Sequence, residues 1–167
     1  MLLSSTLTYL ESPEAWASSK RDPYWPKWDS PWWHLLLLHE LGETDSPVAR
    51  EAARTLLESI RDHFLPAFFP EELPEGKNSE HHVGCFCALG TIFPALESFG
   101  LNPEAALPWA REWMMKHVLP DGGLNCDEGG YRREKPGSSI VATVAALEFL
   151  VESRSGPRNE AETDFAH

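Results

Sequence analysis

The sequence has little positive charge. Its 167 residues include 14 Lys and Arg against 26 Asp and Glu, which gives a net charge of −12. Because phosphate backbones and anionic lipid headgroups are also negative, both repel a chain of this charge. The charge balance therefore argues against nucleic acid and acidic membrane surfaces as partners.

Long apolar runs and export signals are missing as well. No stretch reaches the roughly 20 apolar residues that a membrane-spanning helix needs, so no transmembrane segment is expected. Residues 1–10 contain no basic side chain, so neither a signal peptide nor a transit peptide is predicted. Three cysteines are an odd number that does not suit a disulfide scaffold, so we expect reduced thiols and a cytoplasmic location.

Catalytic motifs with a recognisable mechanism are also absent. The sequence has no Gly-rich phosphate loop, no nucleophile elbow and no His-Glu-x-x-His run. It can nevertheless bury a sizeable core, because 42% of its residues are hydrophobic and 11% are aromatic. We predict one globular domain over residues 1–151 and a polar C-terminal tail over 152–167, and we leave open whether the protein is an enzyme.

Apolar residues follow helical patterns of two kinds. The segments 32–41, 82–99 and 138–151 are apolar on nearly every face, which is typical of helices that are buried on all sides. The segments 47–65 and 104–118 instead carry one apolar stripe between charged faces. Since fully apolar helices need one-striped helices to shield them from water, the alternation predicts two helical layers.

Local signals mark where these helices begin and end. Ser46-Pro47 and Asn102-Pro103 each combine an N-cap residue with a proline at the first helical position. Gly42 and Gly100 each predict a helix end. Pro94 is expected to kink or break the helix that contains it. The order of apolar helix, glycine, capped start and amphipathic helix therefore occurs twice, which predicts repeated helical hairpins.

The run Leu119-Pro-Asp-Gly-Gly-Leu-Asn-Cys126, with the apolar segment that follows it, resembles the terpenoid-cyclase and protein-prenyltransferase superfamily of α/α toroids. Those proteins repeat a similar Asp-Gly-Gly turn between helical hairpins, and Leu124 stands where they usually carry an aromatic residue. The run from Tyr24 to Gly42 is similar to bacterial prenyltransferase-like and squalene-cyclase-like proteins of unassigned chemistry. The resemblance implies an all-α fold in which two layers of hairpins form an incomplete α/α toroid.

The chain departs from this superfamily in its catalytic residues and in its length. It has no Asp-x-Asp-Asp run like that of the cyclases, and no segment matches the zinc ligands of the prenyltransferases in order and spacing. A closed toroid also needs more hairpins than this chain supplies. Because exposed apolar inner helices would aggregate, we expect a second copy or a missing C-terminal half to cover them.

Cysteine, histidine and carboxylate side chains, the ligands that zinc prefers, are concentrated in two short segments. His81 and His82 precede Cys85 and Cys87, and Cys126 is followed by Asp127. Within one helix, residues two apart point about 200° around the axis, so Cys85 and Cys87 can share a metal only if the helix begins late. Small cysteines in an apolar helix usually just pack. We therefore predict no metal site and no cofactor.

The expected function is binding or conversion of a hydrophobic, isoprenoid-like molecule in an apolar inner cavity. Aromatic faces suit such a pocket and can stabilise a cation, although packing alone also explains the tryptophans. The alternative is a non-catalytic helical scaffold that binds other proteins. The residues that we expect nearest the cavity are Trp32, Trp33, His34, His82, Cys85, Asn125 and Cys126.

Overall fold

The computed structural model describes residues 2–154 and 156–167, without the side chain of Leu2, and this part of the chain is all-helical, with no strand. The predicted all-α class is therefore confirmed. No helix among these residues combines the length and the apolar character needed to cross a membrane. The α-helices are α1 (Leu2–Leu10), α2 (Pro13–Arg21), α3 (Pro31–Glu40), α4 (Pro47–His63), α5 (Ser79–His82), α6 (Phe86–Ser98), α7 (Pro103–Ala106), α8 (Ala110–Lys116), α9 (Glu128–Tyr131), α10 (Ile140–Glu152) and α11 (Glu160–Phe165), with a 3₁₀ turn at Pro70–Glu72.

The chain divides into two compact units. The first consists of Met1–Phe64 and Ala95–Ala106, and the second of Leu65–Pro94 and Leu107–His167. In the first unit, α4 packs against α1, α2, α3 and α7.

Helix α4 has the single apolar stripe that the sequence predicts. The hydroxyl of Ser46 accepts a hydrogen bond from the Ala49 N–H, and Pro47 is the first helical residue. Leu56 and Ile60 are fully buried, whereas the charged residues Glu51, Arg54 and Glu58 face solvent. The predicted start and buried face of this helix are therefore confirmed.

The glycine stop signals are confirmed by matching backbone geometry. Gly42 has a φ of 72° and Gly100 a φ of 86°, a region that glycine adopts without a steric penalty. The N–H of Gly42 donates to the His39 carbonyl, and the next N–H, of Glu43, donates to the carbonyl of Leu38. The same pair of bonds follows α6 at Gly100, so both helices end in a Schellman motif.

Helix α2 is a helix that the sequence analysis missed. Ser12 caps it through a hydrogen bond from the Ala15 N–H to the Ser12 hydroxyl, and Pro13 is its first residue. Ser12-Pro13 is the same start signal as Ser46-Pro47. Proline interrupts a helix from within but is well placed at its first position.

Two further helix bounds differ from the prediction. The helix does not break at Pro94, because α6 continues through this proline, which removes only one rung of backbone bonding and whose neighbours Phe93 and Ala95 are fully buried. The predicted helix 104–118 is instead two helices, because α7 ends at Ala106 and α8 begins only at Ala110. Pro108 lies between them and disfavours helical geometry at the residue before it.

In the second unit, α6 and α10 pack backbone against backbone. A Cβ atom on Gly90 would lie 2.4 Å from the carbonyl oxygen of Ala145, so only glycine fits at this contact. The rings of Phe93 and Phe149 meet edge to face, with their centroids 4.7 Å apart. This contact determines which face of α10 is buried.

The sequence led us to expect three apolar segments that are buried on all sides, but two of them are only partly buried. In α3, Trp32, Leu35 and Leu38 are buried, but Trp33 and His34 are half-buried. Helix α10 departs further, because four of its apolar side chains are exposed: Ile140 by 82%, Val141 by 69%, Val144 by 45% and Val151 by 56%.

The polar C-terminal segment is folded rather than frayed where the structure describes it. Helix α11 carries Glu162, whose Oε2 lies 3.1 Å from Nη1 of Arg111 on α8. Both side chains are buried, and the Arg111 guanidinium also lies over the ring of Phe149, 4.6 Å from its centroid. A buried ion pair therefore attaches this helix to the second unit.

Candidate metal centre

The chain enters α6 through a short extended segment that the sequence analysis assigned to the helix. Helix α5 ends at His82, whose carbonyl accepts the Leu65 N–H at 2.9 Å. The Gly84 N–H then donates to the carbonyl of Ala67 at 2.8 Å. These two bonds hold the segment against residues 65–67, so α6 begins only at Phe86 and Cys85 precedes it.

Gly84 is required at this point because an aromatic ring lies against it. A Cβ atom on Gly84 would lie 2.6 Å from the Trp113 ring, far closer than van der Waals contact. Trp113 in turn stacks on Phe86, with ring centroids 4.4 Å apart. The glycine therefore allows the chain to pass the indole and places Cys85 at the start of α6.

Three cysteine side chains converge here. The Sγ atom of Cys85 lies 3.2 Å from Sγ of Cys87 and 3.7 Å from Sγ of Cys126. All three sulfur atoms lie within 4.8 Å of one another, and no disulfide joins them. The condition under which the sequence allows Cys85 and Cys87 to share a metal is therefore met, because the helix begins late, at Phe86.

Cys126 reaches this cluster from the Pro-Asp-Gly-Gly turn. The Leu119 N–H donates to the Gly123 carbonyl at 2.8 Å, and Gly122 closes the turn with a φ of 89°. Asp121 accepts the Ser138 N–H at 2.8 Å, so its carboxylate connects the turn to the start of α10.

Asn125 fixes the backbone immediately before Cys126. Its side-chain amide donates to the Gly137 carbonyl at 2.8 Å, and its Oδ1 accepts the Asp127 N–H at 2.9 Å. Its own N–H donates to the hydroxyl of Tyr131 at 3.2 Å. Asn125 is therefore close to the candidate site as a residue that positions Cys126.

Cys85 is the N-cap of α6, and this position favours its thiolate. Its carbonyl accepts the Leu89 N–H at 3.0 Å. The thiols of Cys126 and Cys87, followed by the backbone N–H groups of Ala88 and Cys87, hydrogen-bond to its sulfur and hold the pKa of Cys85 well below its ordinary value of 9.0. These contacts therefore favour the thiolate form of Cys85.

Cys126 shows the opposite shift for a related reason. Its side-chain hydrogen bonds with Cys85 and Cys87, together with burial, raise the pKa of Cys126. Its sulfur also accepts the Cys87 N–H at 3.3 Å. Burial and the shared hydrogen bonds therefore shift the pKa values of Cys85 and Cys126 in opposite directions.

The sulfur spacing suits one metal ion. At a zinc–sulfur distance of about 2.3 Å, two thiolates of a tetrahedral site lie about 3.8 Å apart. The Cys85–Cys126 separation of 3.7 Å already matches this spacing, whereas the 3.2 Å between Cys85 and Cys87 has to widen by about 0.6 Å. All three side chains are half-buried rather than sealed from solvent.

The other residues expected near a cavity have separate roles. In the first unit, the Trp33 indole N–H donates to the Tyr24 carbonyl at 3.1 Å, and Trp32 is fully buried. The His34 ring packs on Tyr9 with centroids 4.4 Å apart, and burial lowers the pKa of His34. In the second unit, His82 bonds through Nδ1 to the Asn78 carbonyl and does not belong to the thiol cluster.

A small surface cleft lies in the first unit. Its volume of about 180 Å³ includes space that is open to solvent, so the cleft encloses little room for a ligand. None of the residues expected near a cavity lines it. Its lining residues are Leu10, Ala15, Trp16, Ser19, Pro31, Ala52 and Thr55.

Cys87 is the member of the cluster that we did not place among the site residues. A signal for it was present, because glycine directly before a Cys-x-Cys run permits a break that brings both sulfurs to one side. Comparison of the chain with models of known families, with curated proteins and with solved structures finds no match. The interpretation of the site therefore rests on its own geometry.

Proposed function

We propose that this protein binds one thiophilic metal ion through Cys85, Cys87 and Cys126. The observation that carries the proposal is the convergence of three sulfur atoms from two separate segments within 4.8 Å. Thiolate ligands select soft or borderline ions such as Zn²⁺ and Cu⁺ over Mg²⁺ and Ca²⁺. Zinc is our first candidate because the sulfur separations lie close to the edge of its tetrahedral site.

The protonation of the site supports reversible, pH-dependent binding. The lowered pKa of Cys85 favours a thiolate ligand, whereas Cys126, with its raised pKa, would have to give up a proton to bind a metal. Since bound protons compete with the metal, affinity should fall as the pH is lowered. The N–H of Cys87 that bonds to the Cys126 sulfur is the kind of outer contact that orients a metal ligand.

Three protein ligands leave a fourth coordination position. Among the described residues, the group contains no fourth cysteine, histidine or carboxylate. Structural zinc sites usually have four protein ligands, whereas sites that exchange ligands or catalyse reactions keep one position for water or substrate. We therefore propose a site with an exchangeable position, which suits metal transfer or Lewis-acid chemistry better than a purely structural role.

Titration with Zn²⁺ and Co²⁺ under a reducing agent tests the proposal. We expect one ion per chain, and for Co²⁺ a thiolate charge-transfer band together with intense visible bands of a tetrahedral site. Cys87→Ser and Cys126→Ser should each lose most of the affinity. His82→Ala is the matched control, because this histidine is nearby but lies outside the cluster, and it should bind as the wild type does. Absence of binding, or equal binding by Cys126→Ser, would refute the proposal.

Thiol redox chemistry is the second candidate function. The lowered pKa of Cys85 and the 3.7 Å separation from Cys126 favour a reactive thiolate with a partner thiol. Convergence of three sulfurs rather than two favours the metal. If the protein binds no metal but forms a Cys85–Cys126 disulfide at a defined redox potential, thiol redox chemistry replaces metal binding as the proposed function.

Several expectations from the sequence remain proposals. We propose that the hairpins form two layers of an incomplete α/α toroid with an apolar cavity for an isoprenoid-like molecule, as the alternation of helix types supports. Mass spectrometry of lipid that co-purifies with the protein tests this. The scaffold alternative is favoured by the exposed apolar face of α10, which a second copy or a further chain segment would cover. The reduced thiols support a cytoplasmic location.

A further inference from the structure

Helix α10 exposes a continuous apolar seam. Ile140, Val144 and Val151 are exposed, and Leu147 between them is half-buried. These four positions are spaced by four, three and four residues, the spacing that aligns side chains along one helix face for packing against another helix. The seam is therefore patterned for a helical partner, unlike singly scattered apolar residues.

The helix cannot rotate to bury this seam. Its opposite face is buried against the second unit through Ala145, Phe149 and Leu150. On this face the backbones of α6 and α10 are in direct contact, since a Cβ atom on Gly90 would lie 2.4 Å from the carbonyl oxygen of Ala145. Exposure of the seam is thus a consequence of the packing that holds α10 in place.

The charges beside the seam indicate how a partner helix is oriented relative to α10. Glu148 and Glu152 are exposed in the C-terminal half of α10, where a negative charge opposes the helix dipole. No basic residue lies in the last turn, and no acidic residue lies in the first turn. An antiparallel helix would bring its positive N-terminal end beside these carboxylates, and a second copy of α10 does so at both ends at once.

We propose that two copies of this protein associate through antiparallel α10 helices. Around the twofold axis, Ile140 faces Val151 and Val144 faces Leu147 of the partner copy. A seam on a helix of 13 residues is smaller than the roughly 800 Å² per partner of a standard interface. The dimer is therefore weak and depends on concentration.

Sedimentation velocity over a range of protein concentrations tests the association. We expect a reversible monomer–dimer equilibrium that Val144→Arg weakens at least tenfold, because a charge is then placed at the centre of the seam. Leu41→Arg is the matched control, since Leu41 is also an exposed apolar residue, by 52%, but lies in the first unit. Circular dichroism and thermal unfolding verify that both variants fold.

A strictly monomeric wild type at every concentration, or an equal loss with Leu41→Arg, overturns the proposal. Chemical crosslinking then tests the direction with Ile140→Cys and Val151→Cys chains and a short thiol-specific linker. We expect crosslinked dimers mainly when the two variants are mixed. Crosslinking of Val151→Cys to itself as the dominant product would indicate parallel helices and refute the antiparallel arrangement.

Discussion

Substitution of Gly84 by alanine should destabilise the protein and weaken metal binding together. The new Cβ would lie 2.6 and 2.7 Å from two carbon atoms of the Trp113 ring, so ring and backbone must separate by about 1 Å. Overpacking of this kind costs about 1–3 kcal/mol. Reduced freedom of the unfolded chain offsets about 0.4–1 kcal/mol of this cost. We expect a net loss of about 1–2 kcal/mol of unfolding free energy.

The same displacement should reach the metal centre, because Gly84 directly precedes Cys85. Trp113 is packed on Phe86 and has little room to move, so the extended segment has to shift instead. Urea unfolding measures the stability, and Zn²⁺ titration measures the affinity. Gly84→Ala should lower both, and the metal-free protein should show the loss of stability as well.

Gly137→Ala is the matched control in the same unit. A Cβ on Gly137 would meet only an Asp121 carboxylate oxygen at 4.0 Å, and Gly137 does not have a positive φ. This variant should be neutral or gain about 0.4–1 kcal/mol. Combining Gly84→Ala with Trp113→Phe should cost less than the sum of the single changes, since a smaller ring relieves the contact. If Gly84→Ala behaves like Gly137→Ala, our account of how Cys85 is positioned is wrong.

Three further predictions concern ionisable groups. The lowered pKa of Cys85 means that iodoacetamide should modify it in the metal-free protein at pH values well below 9.0, with Cys85→Ser removing this reaction. Glu162→Gln leaves Arg111 buried without its counter-charge and should cost about 3 kcal/mol in urea unfolding, whereas an exposed Glu→Gln change should cost little. Because burial lowers the pKa of His34, the unfolded chain takes up the proton at a higher pH than the folded protein does. The contribution of His34 to stability is therefore complete above pH 6.5, the ordinary pKa of histidine, and is lost as the pH falls below it. Thermal unfolding of His34→Gln should show a smaller loss of stability at low pH.

Signals that act over a few residues were readable from the sequence. The Ser46-Pro47 start needs only a hydroxyl and a proline in order, and the Schellman motifs at Gly42 and Gly100 need only a glycine after an apolar turn. Ser12-Pro13 is a signal of the same kind, so the start of α2 could also have been predicted from the sequence. Local chemistry determines these helix starts and ends, whatever the helix packs against.

The thiol cluster depends on contacts between segments that are distant along the chain. The late start of α6 follows from the Gly84–Trp113 contact and from a backbone bond to Ala67, neither of which helical periodicity reveals. The exposed seam of α10 was missed for a similar reason. An apolar helix reads as buried on all sides when sequence alone is considered, although only its tertiary neighbours decide how many sides are covered.

The position of Cys126 depends on the N-terminal end of α10. Thr143 on α10 accepts the Leu124 N–H through its hydroxyl at 3.0 Å, and the Ser139 N–H donates to the Leu124 carbonyl at 2.7 Å. Leu124 is buried, so its backbone groups would lose hydrogen bonding if these partners moved away. Because Cys126 follows Leu124 by two residues, the helix that presents the exposed seam also holds the loop that supplies the third sulfur. The metal centre thus depends on α10 without any ligand from that helix, and motif searches restricted to the ligands would not detect this dependence.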